Sequence, residues 1–292
     1  MILEAYAAYL TTEKKMAKNT SQAYLRDIRH FADFAAARGV EDLQQASSTD
    51  VLAYLMELKT GGRSKSTVNR KLASIRTFYQ YLIKKGILSE NPTEEIRSPK
   101  VEKKEIPYLS TQEIERLLEL PDDTVKGRRD RAMLELLYAT GIRASELIEM
   151  QAEDVNIRMG FVKCTGAHGT ARIIPIGKPC RKALEAYVPQ ARDILCRNRE
   201  TEILFLNYAG KPFTRQGLWK VLKEYGEQAE FSVPLTPQVI RNSFAVHMLQ
   251  NGADIKSLQE LMGHEDISAT QAYLAVVKNR IKDVYDRTHP RA

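Results

Sequence analysis

The sequence is most informative near its C-terminal third, which contains Leu235-Thr-Pro237-Gln238-Val-Ile-Arg241-Asn-Ser-Phe244-Ala-Val-His247. Thr236 suits a helix N-cap and Pro237 suits the first turn, so a helix is predicted to begin there. Gln238 and Arg241 are three residues apart and therefore share one face of that helix. The N-terminus of a helix carries partial positive charge, which makes this face a candidate phosphate site. A solvated polar face is the alternative interpretation.

A second polar segment precedes it in the chain and reads Ala139-Thr-Gly141-Ile-Arg143-Ala-Ser-Glu146-Leu. Gly141 is predicted to end one helix, and the next helix begins close to Arg143. An arginine offers a planar fork of donors to an oxyanion, and Glu146 is placed to hold that fork. A helix corner with a surface Arg–Glu pair would give the same pattern.

Two further polar segments follow, one around Gly263-His264 and one ending at Tyr273. Gly263 is predicted to end a helix and to leave His264 in the turn. Tyr273 follows His264 by nine residues, within Ser268-Ala-Thr-Gln-Ala-Tyr273. A loop histidine or a helical tyrosine is uninformative alone, so the significance of these residues depends on their combination.

The first part of the chain is predicted to be entirely helical, because its apolar residues recur at spacings of three and four. Two stripes show this period: Tyr24, Leu25, Ile28, Phe31 and Phe34, then Val68, Leu72, Ile75, Phe78, Tyr79 and Leu82. With two shorter helices, the pattern predicts a four-helix bundle over residues 1–90. Residues 91–107 are rich in Lys and Glu and are predicted to form an exposed linker.

Residues 108–292 are predicted to form a second domain of mixed structure. It opens with a capping box from Ser110 to Glu113. A short β pair is predicted at 161–164 and 172–176, joined by a glycine-containing turn. The predicted helices cover residues 111–120, 127–140, 144–150, 178–198, 214–229, 237–250, 254–262 and 267–286.

Composition narrows the function classes further. The 292 residues carry a formal net charge of +7, which favours a polyanionic partner, nucleic acid before a membrane surface. No apolar run approaches the roughly 20 residues of a membrane span, and no secretory signal is recognisable. Cys164, Cys180 and Cys196 lack metal-ligand spacing, so we expect a cytoplasmic protein without a metal site.

In combination, the order Arg143, Gln238-x-x-Arg241, Gly-His264 and Tyr273 resembles the tyrosine recombinase or integrase family, close to its Xer-type bacterial members. The resemblance covers essentially the whole chain, including the basic element at 64–76 and the ending at 284–292. It implies a mainly α fold. The N-terminal part would be a four-helix, SAM-like core-DNA-binding domain, and the C-terminal part a mixed α+β catalytic domain with a small β-sheet.

The resemblance also implies a chemistry. Tyr273 would attack a DNA phosphate and form a 3′-phosphotyrosyl link, which conserves bond energy for religation without a metal or nucleotide cofactor. Arg143, Arg241 and His264 would neutralise the charge that develops on the phosphate oxygens. Nearby arginine charge is also expected to favour the phenolate of Tyr273.

The sequence departs from the family pattern at two catalytic positions. The family lysine of the β-hairpin turn aligns with Ala167, which leaves His168 or Lys163 as substitutes for the general acid. The usual histidine or lysine before the second arginine is Gln238, which donates a hydrogen bond but cannot transfer a proton. A recombinase-fold DNA-binding partner subunit with impaired catalysis is therefore an alternative, and a nicking–closing topoisomerase is a third.

The expected partner is a double-stranded recombination site, gripped by both domains as a C-shaped clamp. The candidate DNA contacts of the first domain are Arg63, Lys65, Thr67, Asn69, Arg70, Lys71 and Arg76. The resemblance implies a homo- or hetero-tetramer with a related recombinase through the C-terminal tail, with a DNA translocase as a possible further partner. No membrane partner is expected.

Overall fold

The computed structural model describes residues 2–99, 105–166, 169–197, 200–264 and 266–288, with side chains described up to residue 277. The chain divides into two compact units, residues 1–104 and 105–292. Among the described residues, no helix combines the length and apolar character that a membrane span requires. The mainly helical fold class with one small sheet is confirmed.

The first unit contains the four predicted helices. They are α1 (Ile2–Thr12), α2 (Lys18–Ala36), α3 (Ser48–Thr60) and α4 (Lys65–Lys84). Ser47 and Ser64 cap α3 and α4 with their side-chain oxygens. The two predicted apolar stripes meet between α2 and α4, where Phe31 and Leu72 are completely buried. The helical period of the sequence therefore located this core correctly.

A charged network lies inside this bundle and corrects one prediction. Asp27 on α2 accepts hydrogen bonds from Arg70 and from the Ser74 hydroxyl at 3.0 Å. Lys71 is 6% exposed, and its amine lies 2.9 Å from the Tyr54 hydroxyl and 3.4 Å from Asp27. The prediction that Lys71 contacts DNA is therefore wrong for this structure, because its charge is used to join α2, α3 and α4.

The predicted exposed linker is in part a packed segment. Residues 91–99 lie on α4, where Ile96 is buried. Arg76 donates a hydrogen bond to the Ile96 carbonyl, and Asn69 donates to the Pro99 carbonyl at 2.9 Å. Asn69 and Arg76, two of the candidate DNA contacts, therefore hold the segment that follows the bundle in this structure.

The second unit combines nine helices of the described chain with one antiparallel sheet. The helices are α5 (Thr111–Glu119), α6 (Val125–Thr140), α7 (Ala144–Glu149), α8 (Lys178–Ala186), α9 (Asp193–Cys196), α10 (Arg215–Gln228), α11 (Pro237–Gln250), α12 (Ile255–Met262) and α13 (Ile267–Thr288). The sheet order is β1 (Val155–Asn156), β2 (Phe161–Thr165) and β3 (Ala171–Pro175). The β2–β3 pair was predicted, whereas the two-residue β1 was not.

The helix predicted over 178–198 is interrupted by a π-helical turn at Tyr187–Arg192. Pro189 lies inside that turn and has no backbone N–H to donate, so a regular helix cannot continue through it. Tyr187 is buried there, and its hydroxyl donates to the Leu204 carbonyl at 2.8 Å. The interruption therefore has a local cause in the sequence.

Helix α11 is the central element of the second unit. Residues 239–247 are buried without interruption. One side of α11 packs with α6 around Val239 and Ile240, and the other packs with α12 and α13 around Phe244 and Leu258. A helix buried on all sides is not a solvated polar face, so that alternative for Arg241 is excluded.

Candidate active site

The first corner of the site is the turn between α6 and α7. Gly141 ends α6 with a left-handed backbone (φ +58°), and a Cβ there would lie 2.3 Å from the Phe244 ring. Both facts require glycine at this position. Arg143 is the N-cap residue of α7, and its backbone N–H donates to the Glu146 carboxylate at 2.7 Å. Gly141 thus allows α6 and α11 to approach closely and places Arg143 beside them.

Glu146 is the anchor of this corner. Its two carboxylate oxygens accept from Arg172 on β3 at 2.8 and 3.0 Å, and Arg143 lies 3.3 Å away. Burial opposes ionisation of Glu146, but the hydrogen bonds and charges of Arg172 and Arg143 outweigh it and lower its pKa. The predicted Arg143–Glu146 pair is present, yet Glu146 mainly holds Arg172, which was not among the predicted site residues.

Arg241 lies in the interior with an exposure of 4%. It donates hydrogen bonds to the carbonyls of Gly141 and Met262 and to the ring of His264. Burial, and then the charge of Arg143, lowers its pKa to about 10, so the guanidinium stays positive at neutral pH. The site therefore contains a buried, fixed positive charge that suits an oxyanion.

His264 lies in the turn between α12 and α13, as predicted. Gly263 has a left-handed backbone (φ +61°), and a Cβ there would meet Arg172 at 2.9 Å. The Nε2 atom of His264 accepts from Arg241 at 2.8 Å, so its Nδ1–H donates to the buried Thr270 hydroxyl at 2.9 Å. Burial and the arginine charges lower the pKa of His264 to about 4, which makes it neutral at pH 7.

This neutral histidine predicts how stability depends on pH. The pKa of His264 is about 4 in the folded chain and 6.5 when unperturbed, so the unfolded chain binds a proton first as pH falls. Stability should therefore decrease as pH falls from about 6.5 towards 4. The loss is reduced by solvent screening, because the ring is half-exposed. The free energy of unfolding, measured in urea at about pH 7 and about pH 5, should differ less between the two pH values in His264→Gln than in the wild type. Equal differences would contradict this assignment.

Tyr273 lies on α13 and is buried, with an exposure of 5%. Its hydroxyl donates to the Asn242 side-chain oxygen at 3.0 Å, and the same oxygen accepts from Gln238 at 2.8 Å. Burial raises the pKa of Tyr273, and the charge of Arg241 and a hydrogen bond with Gln238 offset this only in part. The charge of Arg241 therefore favours the phenolate, as expected, but burial outweighs it.

Of the two candidate general acids, the described residues include only Lys163. Lys163 is exposed on β2 and lines a cleft of about 410 Å³ together with Glu146, Glu149 and Glu153. His168 and Ala167 lie outside the described residues. Within the described chain, no group of three or more His, Cys, Asp or Glu residues is arranged to hold a metal ion.

Three residues of the site escaped sequence reasoning: Arg172, Thr270 and Asn242. The sequence predicts Arg172 only as the first residue of a strand, and it assigns no role to Thr270 or Asn242. Each contacts a predicted site residue through its side chain. Thr270 precedes Tyr273 by three residues, about one turn of α13, so the two side chains share one face of the helix. This spacing is the one local signal that could have pointed to Thr270 as a residue of the site.

Comparisons with known proteins identify the family of the chain. The phage integrase family matches residues 107–280, and the SAM-like N-terminal domain of phage integrases matches residues 3–86. The chain is 41% identical to the tyrosine recombinase XerD of Oceanobacillus iheyensis, covering 99% of this chain and 98% of that protein. It is 40% identical to XerD of Listeria monocytogenes, covering 100% and 99%.

Solved structures show the same fold. A post-cleavage complex of the XerH site-specific recombinase with palindromic difH substrate has a TM-score of 0.72 at 17% identity, covering 97% of this chain and 94% of that one. A lambda integrase dimer bound to a COC′ core site has a TM-score of 0.71 at 18% identity, covering 93% of each chain. With the family match and the full-length relatives, this likeness leads to one conclusion: the chain belongs to the phage integrase family and is a tyrosine recombinase of the Xer type.

Proposed function

We propose that this protein cuts and rejoins DNA strands at specific sites, with Tyr273 as the nucleophile. The observation that carries the proposal is the convergence of four distant side chains around the start of α11. Arg241 contacts His264, Arg143 reaches the Gly263 carbonyl at 2.8 Å, and Tyr273 lies against the residue after Arg241. Two cations, an imidazole and a phenol in one place fit an in-line displacement at a phosphodiester.

The proposed step forms one bond and breaks one. The Tyr273 oxygen bonds to phosphorus, the phenol proton passes to solvent water, and the bond from phosphorus to the 5′-oxygen breaks. Arg143 and Arg241 stabilise the charge on the non-bridging oxygens throughout. The phosphate charge also favours protonation of His264 at Nε2, which then donates a hydrogen bond in place of accepting one from Arg241.

The departing 5′-oxygen needs a proton, and the source of that proton is the weak part of the site. Gln238 cannot supply it, because an amide has no acidic proton to give. Its hydrogen bond in the structure is to Asn242. We propose His168 or Lys163 as the donor, and we expect a slow cleavage step because neither occupies the family's lysine position.

The same proposal assigns the first unit to DNA binding. Arg63 and Lys65 are exposed at the start of α4, while Thr67 is half-buried behind them. Arg70 keeps 43% of its side chain exposed although it pairs with Asp27. We propose that these residues contact phosphates and set the register of the duplex, so affinity should fall steeply with salt.

We further propose the assembly that such a reaction needs. Two paired duplex sites require four subunits, so the protein acts as a homo- or hetero-tetramer joined by its C-terminal tails. A DNA translocase is a candidate activator. The reaction takes place in the cytoplasm, in resolution of chromosome or plasmid dimers or in integration and excision of a mobile element.

The test is a search for a covalent protein–DNA adduct. Purified protein is incubated with nicked duplexes selected by binding from the source genome and then separated on denaturing gels. The adduct is digested with protease, and the nucleotide-bearing peptide is identified by mass spectrometry. We expect the peptide that contains Tyr273. An adduct on another residue would overturn the assignment, and tight binding without any adduct would favour the passive partner subunit.

A further inference from the structure

Asn242 accepts a hydrogen bond from the hydroxyl of the proposed nucleophile, Tyr273. It is 3% exposed, and its side-chain groups are engaged on three sides. Its oxygen accepts from Tyr273 at 3.0 Å and from Gln238 at 2.8 Å, and its nitrogen donates to the Pro107 carbonyl at 2.8 Å. The bond to Pro107 fixes the orientation of the amide, so its oxygen points towards Tyr273.

These hydrogen bonds oppose the geometry and the protonation that attack requires. The Tyr273 hydroxyl directs its hydrogen to an amide oxygen, which accepts a hydrogen bond but is too weak a base to take the proton. The ring is buried at the same time, with an exposure of 5%. The bond to Asn242 therefore stabilises the neutral, enclosed phenol and must break before the oxygen can approach a phosphate.

We infer that Asn242 is a positioning residue that holds the Tyr273 hydroxyl in a resting position until DNA is bound. This inference rests on the proposed function of Tyr273. It differs from a purely structural role for Asn242, because removal of the amide should make the nucleophile more reactive. A structural role predicts the opposite, namely loss of packing and of activity together.

Nitration of the protein without DNA tests whether the Tyr273 hydroxyl is held in the resting position, and it does not require strand cleavage. Tetranitromethane nitrates accessible, ionisable phenols, and peptide mass spectrometry gives the extent at each tyrosine. Tyr208 is 56% exposed and serves as the reactive reference, while the fully buried Tyr187 reports on unfolding. In Asn242→Ala we expect the ratio of Tyr273 to Tyr208 nitration to rise about three- to tenfold, the effect of one hydrogen bond.

The neighbouring residue supplies a matched control. Ser243 is completely buried on the same helix and accepts from the Leu109 backbone N–H at 2.8 Å, so it ties the same chain segment without touching Tyr273. Ser243→Ala should leave the nitration ratio unchanged. An unchanged ratio in Asn242→Ala, or an equal rise in both variants, would overturn the inference. A rise of Tyr187 nitration would mean that Asn242 supports the fold, which also overturns it.

Adduct formation on the nicked duplex then separates the inference from the proposed function. Asn242→Ala should form the adduct about three- to tenfold faster than the wild type, and its rate should reach half-maximum at a lower pH. Absence of an adduct in the wild type would overturn the proposed function, while the nitration result would still decide the resting position. A slower adduct with an unshifted pH profile would overturn the inference alone.

Discussion

Tyr273→Phe should abolish covalent attachment to DNA, lowering the adduct yield by at least about 10⁴-fold, while duplex binding remains close to that of the wild type. Phenylalanine retains the ring that packs among Phe244, Met262 and Val277, so the α11–α13 interface should persist. It lacks only the oxygen that would bond to phosphorus. The adduct is measured on denaturing gels, and binding on native gels with the same duplex.

The lost hydroxyl donates a hydrogen bond to the Asn242 oxygen at 3.0 Å. That oxygen keeps its bond from Gln238, so Tyr273→Phe should cost only about 1 kcal/mol of stability. Tyr138→Phe is a suitable control, because Tyr138 also offers a hydroxyl to a second-unit side chain, His247 at 2.9 Å. An adduct that survives in Tyr273→Phe would place the nucleophile elsewhere in the chain.

Restoring the missing acid groups should have the second largest effect. Ala167→Lys combined with Gln238→His is expected to accelerate strand cleavage by about 10²-fold or more, because a positioned general acid contributes about 10²–10⁴-fold. Gln238 is exposed at the first turn of α11, so a histidine fits there without disturbing the core. Single-turnover adduct formation on the nicked duplex measures the rate.

A substrate with sulfur in place of the 5′-oxygen provides the control for this gain. A thiolate is a far weaker base than an alkoxide and departs without a proton. The wild type and the double variant should therefore cleave the sulfur substrate at similar rates. An acceleration of both substrates by the same factor would show that the substitutions improve binding or geometry and not proton transfer.

Much of the fold was predictable because its signals are local. The cap at Thr236, the start of α11 at Pro237 and the αL turns at Gly141 and Gly263 involve residues within one helical turn of each other. The apolar stripes of α2 and α4 likewise follow the helical period. The failures also have local explanations, such as Pro189 within a predicted helix and the two-residue strand β1, which is too short to show a period.

The site was predictable in its principal residues and not in their partners. Arg143, Arg241, His264 and Tyr273 were proposed from their order along the chain. Their supports are remote in sequence: Asn242 bonds to Pro107, and Glu146 bonds to Arg172. Polar pairs so far apart have no period or spacing that a single sequence displays.

The sequence by itself determined the helical and mixed units, the family of the chain and the order of its candidate catalytic residues. Only the tertiary structure decided the state of those residues. Burial lowers the pKa of His264 and raises that of Tyr273, and the Asp27 carboxylate pairs with Lys71 inside the first bundle. The physical reason is that charge and hydrogen bonding depend on the distance between groups and on their access to water, and both are set when distant segments pack together.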